Sequence, residues 1–170
     1  MLQAGEFGGG DILAWTAASD LGQTFAALPW SPRVGLKANI ASGDRDPLDG
    51  DLETFNALFP RGAYFAESGL IGPANFIDVH PSLTLNPAPT IAVTADVDFF
   101  WRQSTRDGLY GPAVNLVRTG RTSEARYIGT QASLQVAGAP AVIGRSRRPT
   151  VVSSPGNFCA NPARARTSIM

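Results

Sequence analysis

Charged side chains recur at every second position in separate parts of the sequence. They are Lys37, then Asp78 and His80, then Asp96 and Asp98, with Arg102 after them. Side chains two residues apart lie on the same face of a β-strand, so this spacing predicts charged strand faces. Cations on such a face would raise the local concentration of an anion, and arginine can hold a carboxylate through two hydrogen bonds. The same groups could instead form an ion-pair lattice or an ordinary solvated face.

A group of four acidic residues follows Lys37 in the sequence. It comprises Asp44, Asp46, Asp49 and Asp51. Alternating carboxylates can ligate calcium, but the Gly and the closing Glu of an EF-hand loop are missing here. We therefore predict a solvated loop without metal, in which these residues are weak metal candidates only. The aromatic residues that follow are predicted to fold this loop over the end of a sheet; they are Phe55, Phe59, Tyr64 and Phe65.

Enzymatic chemistry has little support in the sequence. Ser104 and His80 could suggest a hydrolase, but nothing places a third partner or oxyanion donors near them. His80 and Cys159 are the only residues of their types, which excludes an internal disulfide and a Cys/His metal site. A net charge of zero argues against a nucleic-acid binder. We expect no enzyme activity and no cofactor.

Alternating apolar and polar residues predict strands. The clearest covers residues 33–41, and others are predicted at 75–85, 90–102 and 126–136, with a weaker one at 11–25. The strand at 90–102 exceeds the usual strand length of about 5–6 residues.

Phe99 and Trp101 near its end are typical of a membrane-interface girdle. With 18 Gly and 13 Pro in the chain, the composition favours an all-β fold with many turns.

The connections between these strands alternate in length. Residues 26–32 and 86–89 are short connections, whereas 42–74 and 103–125 are long. Outer-membrane barrels have short periplasmic turns and long extracellular loops. No apolar run of about 18 residues predicts a membrane-spanning helix, and the start lacks a secretory signal. A soluble β-sandwich is the alternative, and it would cover the apolar face that a barrel segment leaves bare.

Several irregular motifs occur in a fixed order: GLKANIASGDRDPLDGDLETFNALFPRGAYF, GPANFIDVHPSLTL, DVDFFWRQSTRDGLYGP and ARYIGTQASL. They strongly resemble the C-terminal part of the alginate export family over about residues 8–136. The resemblance implies an antiparallel up-and-down meander of about five strands, part of a transmembrane β-barrel in the outer membrane. It implies passage of an anionic polysaccharide or small polar solutes, with outer-membrane lipid as the other partner. The implied pore-lining candidates are Lys37, Asp78, His80, Asp96, Asp98 and Arg102.

The end of the chain differs from the rest in charge. Up to Ala137 there are 9 basic and 14 acidic residues, whereas the remainder has 5 Arg and no acid. The resemblance also stops near Val136. We therefore predict a partial barrel domain at 1–137 and an unstructured tail at 138–170. The tail is interpreted as a frameshift product, because GC-rich DNA read out of frame yields Arg, Ala and Pro.

Three interpretations thus remain open at the level of sequence. The chain is a segment of an outer-membrane channel, a soluble carbohydrate-binding β-sandwich, or a truncated product without function. In the first, the apolar face of the sheet and both sheet edges should be exposed in the isolated chain.

Overall fold

The computed structural model describes residues 1–59, 69–138 and 151–154, and these are largely β-strands. The strands are β1 (Leu2–Phe7), β2 (Gly10–Thr24), β3 (Arg33–Ala41), β4 (Phe76–Ala88), β5 (Ile91–Trp101), β6 (Leu109–Tyr110), β7 (Leu116–Arg118), β8 (Tyr127–Gly138) and β9 (Val151–Ser154). A single 3-10 turn covers Gly120–Thr122. No helix in the described part of the chain has the length and apolar character needed to cross a membrane.

The long strands form one antiparallel meander. The order in the sheet is β1-β2-β3-β4-β5-β8-β9, while β6 and β7 form a small separate hairpin. Strands that follow one another in the chain pair side by side, which confirms the predicted all-β, up-and-down arrangement. Over the described residues the sheet is open, with β1 and β9 at its two edges. The predicted number of about five strands is too low by these two edge strands.

Strand β1 was not predicted from sequence. It pairs with β2 from Leu2↔Trp15 to Phe7↔Gly10. Gly8 and Gly9 connect the two strands with φ angles of 64° and 90°. A two-residue turn with both φ values positive matches the right-handed twist of a hairpin, and glycine adopts it without steric cost. The glycines around this turn weaken the alternation that would otherwise mark β1 as a strand.

The two faces of the sheet are inverted relative to a soluble protein. On the apolar face, Leu36, Leu83 and Leu134 are 43%, 41% and 51% exposed. On the opposite face, Asp78 and Asp98 are each only 1% exposed. Register makes both faces continuous, because directly paired residues such as Leu83↔Ala95 share a face. Within the described residues no second sheet covers the apolar side, as expected for a barrel segment and unlike a sandwich.

The small hydrophobic core lies on the charged face, at the end where the long loops begin. Phe76 and Phe100 belong to that face, and Phe55 and Ile71 from the first long loop pack with them. Phe55 therefore packs the first long loop against the sheet. Phe59 is 91% exposed, and Tyr64 and Phe65 lie outside the described residues.

The two long loops also pack closely on each other. The backbone N–H of Gly72 donates to the carbonyl oxygen of Tyr110 at 2.9 Å. A Cβ atom at Gly72 would lie 1.9 Å from the carbonyl oxygen of Gly111, so only glycine allows this approach. The loops therefore form a cap at one end of the charged face.

The predicted unstructured tail contains one described element. Strand β9 pairs with β8 from Ala132↔Ser154 to Gln135↔Val151, and the division of the chain into a barrel domain and a tail stays a prediction. Gly138 is the last residue of β8 and thus belongs to the sheet. The other tail residues lie outside the described part of the chain, and the frameshift interpretation stays a prediction.

Candidate functional site

Four of the predicted site residues meet at the centre of the charged face. Asp78 and His80 lie on β4, and Asp96 and Asp98 lie on β5. Period-two alternation directs all four side chains to one face. The pairing of β4 with β5, which includes Ser82↔Asp96 and Asp78↔Phe100, brings the two pairs side by side.

His80 lies between two carboxylates. Its Nδ1 atom is 2.5 Å from Oδ1 of Asp98, and its Nε2 atom is 3.1 Å from Oδ1 of Asp96. Both nitrogens can donate hydrogen bonds only when the imidazole is protonated. The side chains of His80 and Asp98 are 15% and 2% exposed, so the interaction is largely shielded from solvent.

The outer carboxylates connect this cluster to the neighbouring strands. Asn39 on β3 donates from Nδ2 to Oδ1 of Asp78 at 2.6 Å. Ser133 on β8 donates from Oγ to Oδ2 of Asp96 at 2.7 Å. Polar contacts therefore run across four adjacent strands. The pore-lining role of the same residues stays a prediction.

Oδ2 of Asp78 stands out in this network. It is buried and has no hydrogen-bond partner among the described residues. A buried charged oxygen without a partner is costly, because it loses its hydration and gains nothing in return. The atom belongs to a group formed by Asp78, His80 and Asp98, in which one ligand atom from each residue lies within 4.8 Å of the others.

The two predicted cations do not join this cluster. Lys37 extends toward solvent, where its Nζ atom is 3.8 Å from Asp20. Arg102 is 6% exposed and donates to the carbonyl oxygens of Thr105, Asp107, Ser123 and Ala125. Its guanidinium thus connects the two ends of the second long loop instead of pairing with the carboxylates.

Three of the four loop aspartates accept hydrogen bonds from backbone amides through their side chains. Asp44 accepts from the N–H of Asp46 at 2.9 Å, and Asp49 accepts from the N–H of Asp51 at 3.0 Å. Asp51 accepts from the N–H of Asp11 at 2.9 Å. Burial raises the pKa of the Asp44 carboxyl above its ordinary value. Among the described residues these carboxylates form no close group of three ligand atoms.

Asp107 is a buried residue of the loop cap that the sequence did not indicate. Its Oδ2 accepts from the backbone N–H of Asp44 at 2.9 Å and from Oγ1 of Thr54 at 2.6 Å. Its Oδ1 accepts from the backbone N–H of Gly108 at 2.6 Å and from the Tyr110 hydroxyl at 2.7 Å. One carboxylate therefore holds both long loops. Asp107 lies within a run of polar loop residues. Such a run has no alternation of apolar and polar positions from which its burial could be predicted.

Asn75 has a similar role at the start of β4. It is fully buried and adopts a positive φ of 49°. Its side chain accepts from the N–H of Ser104 at 2.6 Å and donates to the carbonyl oxygen of Gly108 at 2.8 Å. Asparagine tolerates the left-handed region better than most residues, so the residue suits both the turn and the contact.

A basic pocket of about 380 Å³ lies within the loop cap. Three arginines line it together with polar residues of the second loop: Arg45, Arg106, Arg126, Gln103, Ser104 and Thr105. Arg106 donates to the carbonyl oxygen of Arg45 at 3.2 Å, and Arg126 donates to that of Gln103 at 2.8 Å. Three guanidinium groups in one pocket favour an anionic ligand such as a carboxylate.

The fold and the charged face together define the class of protein. An antiparallel meander with a bare apolar face and a polar opposite face has the construction of a transmembrane β-barrel wall, which is open over the described residues. Comparison with protein families gives the same assignment, since residues 1–165 match the family described as Alginate export. The chain belongs to the alginate export family.

Two other comparisons add nothing to this assignment. Searches among curated proteins and among solved structures gave no match. The prediction that the resemblance stops near Val136 is wrong, because the family match extends to residue 165 and covers β9 and most of the tail.

Proposed function

We propose that this chain forms part of an outer-membrane channel wall that passes an anionic polysaccharide or small polar solutes. The inverted sheet is the observation that carries the proposal. Exposed Leu36, Leu83 and Leu134 would face lipid, while the side that bears Asp78 and Asp98 would face the lumen. Backbone groups in lipid must all be paired, so the barrel would close through strands additional to those described.

Aromatic residues support this orientation in the membrane. Trp101 lies 6.2 Å from Phe99 and 6.1 Å from Tyr127 between ring centroids. All three belong to the apolar face at the end next to the long loops. Aromatic residues at this position are typical of the membrane–water interface. The loop cap would then lie outside the bilayer, where the basic pocket could meet an anionic solute first.

The test is a conductance measurement on the barrel that contains this chain, reconstituted in planar bilayers. We expect open-channel current that oligouronate blocks more strongly than a neutral oligosaccharide of matched length. The double substitution Arg45→Gln and Arg106→Gln should weaken the oligouronate block about tenfold, equivalent to about 1.4 kcal/mol. Arg121→Gln is the matched control, since Arg121 lies in the same loop region but does not line the basic pocket.

Two results would count against the proposal. Absence of any current, together with absence of the protein from outer-membrane fractions, would support a truncated product without function. Equal block by the neutral and the acidic oligosaccharide would retain the channel but reject its preference for anions.

A further inference from the structure

We propose that Asp78, His80 and Asp98 form a binding site for one divalent transition-metal ion of the Zn²⁺ class. The three residues offer one ligand atom each, and these atoms lie within 4.8 Å of one another. A set of one imidazole and two carboxylates suits zinc and related ions better than calcium or magnesium, which prefer oxygen alone. The proposed site is separate from the loop aspartates and does not depend on which solute the channel passes.

The charge of the cluster favours a cation. Asp78, Asp96 and Asp98 surround a single histidine, so carboxyl groups outnumber the imidazole three to one. Lys37 is directed to Asp20 near the solvent and supplies no ammonium contact to the cluster. Buried carboxylates are stable only when they are paired, protonated or bound to metal. A divalent ion would provide the missing positive charge.

The unpaired oxygen of Asp78 is an independent indication. Asp78 is 1% exposed, and Asn39 holds its Oδ1 atom at 2.6 Å. That contact fixes the carboxylate and leaves Oδ2 buried without a hydrogen-bond partner among the described residues. Native structures rarely leave such an atom unsatisfied, and a bound ion is one way to satisfy it. We therefore assign Oδ2 of Asp78 as a metal ligand.

The surroundings of His80 resemble those of a metal-ligating histidine. Its Nε2 faces Asp96, and Asp96 is held in turn by Oγ of Ser133 at 2.7 Å. Histidine ligands of metals commonly donate their other ring N–H to a carboxylate, which sets the tautomer and orients the ring. This arrangement leaves Nδ1 as the ligand atom, directed toward Asp98.

Metal binding would require a small movement within the cluster. Ligand atoms of a tetrahedral zinc ion with bonds of about 2.0–2.1 Å lie about 3.4 Å apart. His80 Nδ1 and Asp98 Oδ1 are 2.5 Å apart, so they would separate by about 1 Å as the ion replaces the proton between them. Both residues lie on paired strands, which keep the remaining geometry in place.

The experiment is calorimetric titration of zinc into the barrel that contains this chain, folded in detergent and treated with a chelator. Cys159→Ser is used as the background, because a free thiol would bind zinc by itself. We expect one zinc per chain, with magnesium and calcium unable to compete. Asp78→Asn and Asp98→Asn should each weaken binding more than tenfold, and Asp96→Asn should weaken it about 10- to 100-fold through His80.

Controls distinguish this site from general acidity. Asp20→Asn, on the same face, and Asp46→Asn, in the acidic loop, should leave zinc affinity unchanged. Each Asp→Asn change within the cluster removes a crowded charge, so the metal-free variants should keep the strand circular dichroism spectrum of the parent. Failure of the parent chain to bind zinc at millimolar concentration would overturn the proposal. So would equal affinity in the parent and in both Asp78→Asn and Asp98→Asn.

Discussion

At the scale of single residues, the protein uses its buried carboxylates in two different ways. Asp107 in the loop cap accepts from four described donors. Asp78 on the sheet has one donor for one oxygen and, among the described residues, none for the other. A carboxylate with a full set of donors is a structural connection, whereas one with an unsatisfied oxygen is available to a ligand. The hydrogen-bond partners of an aspartate thus distinguish a structural role from a ligand-binding role, whereas the residue type alone does not.

The hydroxyl of Tyr110 offers a test of the loop cap. Burial, together with the hydrogen bond to Asp107, raises the pKa of Tyr110 above its ordinary value. The folded state therefore favours the protonated phenol. Its contribution to stability is complete below the unfolded pKa of about 10 and is lost as pH rises through the higher folded value.

We expect Tyr110→Phe to lower the free energy of unfolding by about 1.5–3 kcal/mol at neutral pH, because it removes a hydrogen bond to a carboxylate. The variant should also lose the part of the alkaline destabilisation that Tyr110 causes. Urea titrations of the refolded protein at neutral and alkaline pH measure both effects. Tyr127→Phe is the control, since Tyr127 is exposed, and its effect should stay within about 0.5 kcal/mol. Equal effects of the two substitutions would contradict the role of the Asp107 contact.

At the scale of elements, period-two alternation sets the fold. Strand β3 begins and ends at the residues predicted from alternation, Arg33 and Ala41. Strand β4 extends to Ala88, past the predicted end at residue 85, through an irregularity between Leu85 and Ala88. Strands β6 and β7 have only two and three residues, too few to show a period.

The same alternation predicted part of the candidate site. It placed Asp78, His80 and Asp98 on one face, because the face of a residue depends only on its own strand. The contacts between them also depend on the register of β4 against β5, which the sequence does not state. The basic pocket and the role of Arg102 depend on how two loops pack together. Like the strand register, this packing could not be predicted from the sequence.

Substitutions on the two faces of β8 should have opposite consequences. Leu134 is 51% exposed on the apolar face, and Gln135 lies on the polar face. Leu134→Arg should destabilise the protein folded in a bilayer by about 2–4 kcal/mol, because it places a charge in lipid. Gln135→Arg is the matched control and should cost much less. Folding titrations in phospholipid vesicles measure the difference, and equal costs at the two positions would contradict the lipid-facing assignment.

At the scale of the whole molecule, the open sheet and the bare apolar face have one explanation. The described strands expose unpaired backbone groups at β1 and β9, and an exposed strand edge promotes association. They also expose leucines that a water-soluble protein would cover. In the proposed channel wall, lipid would cover the apolar face and further strands would pair with the edges. The proposed function therefore accounts for both features.

The most direct test of that account is a nitroxide scan along β8 in lipid, from Thr130 to Ala137, on the Cys159→Ser background. Labels at alternate positions that include Leu134 and Val136 should be accessible to oxygen dissolved in the bilayer. Labels at Ser133 and Gln135 should instead be accessible to a water-soluble paramagnetic reagent. The expected result is therefore a period of two, with the labels at Leu134 and Val136 exposed to lipid. Uniform accessibility along the strand, or the opposite phase, would contradict it.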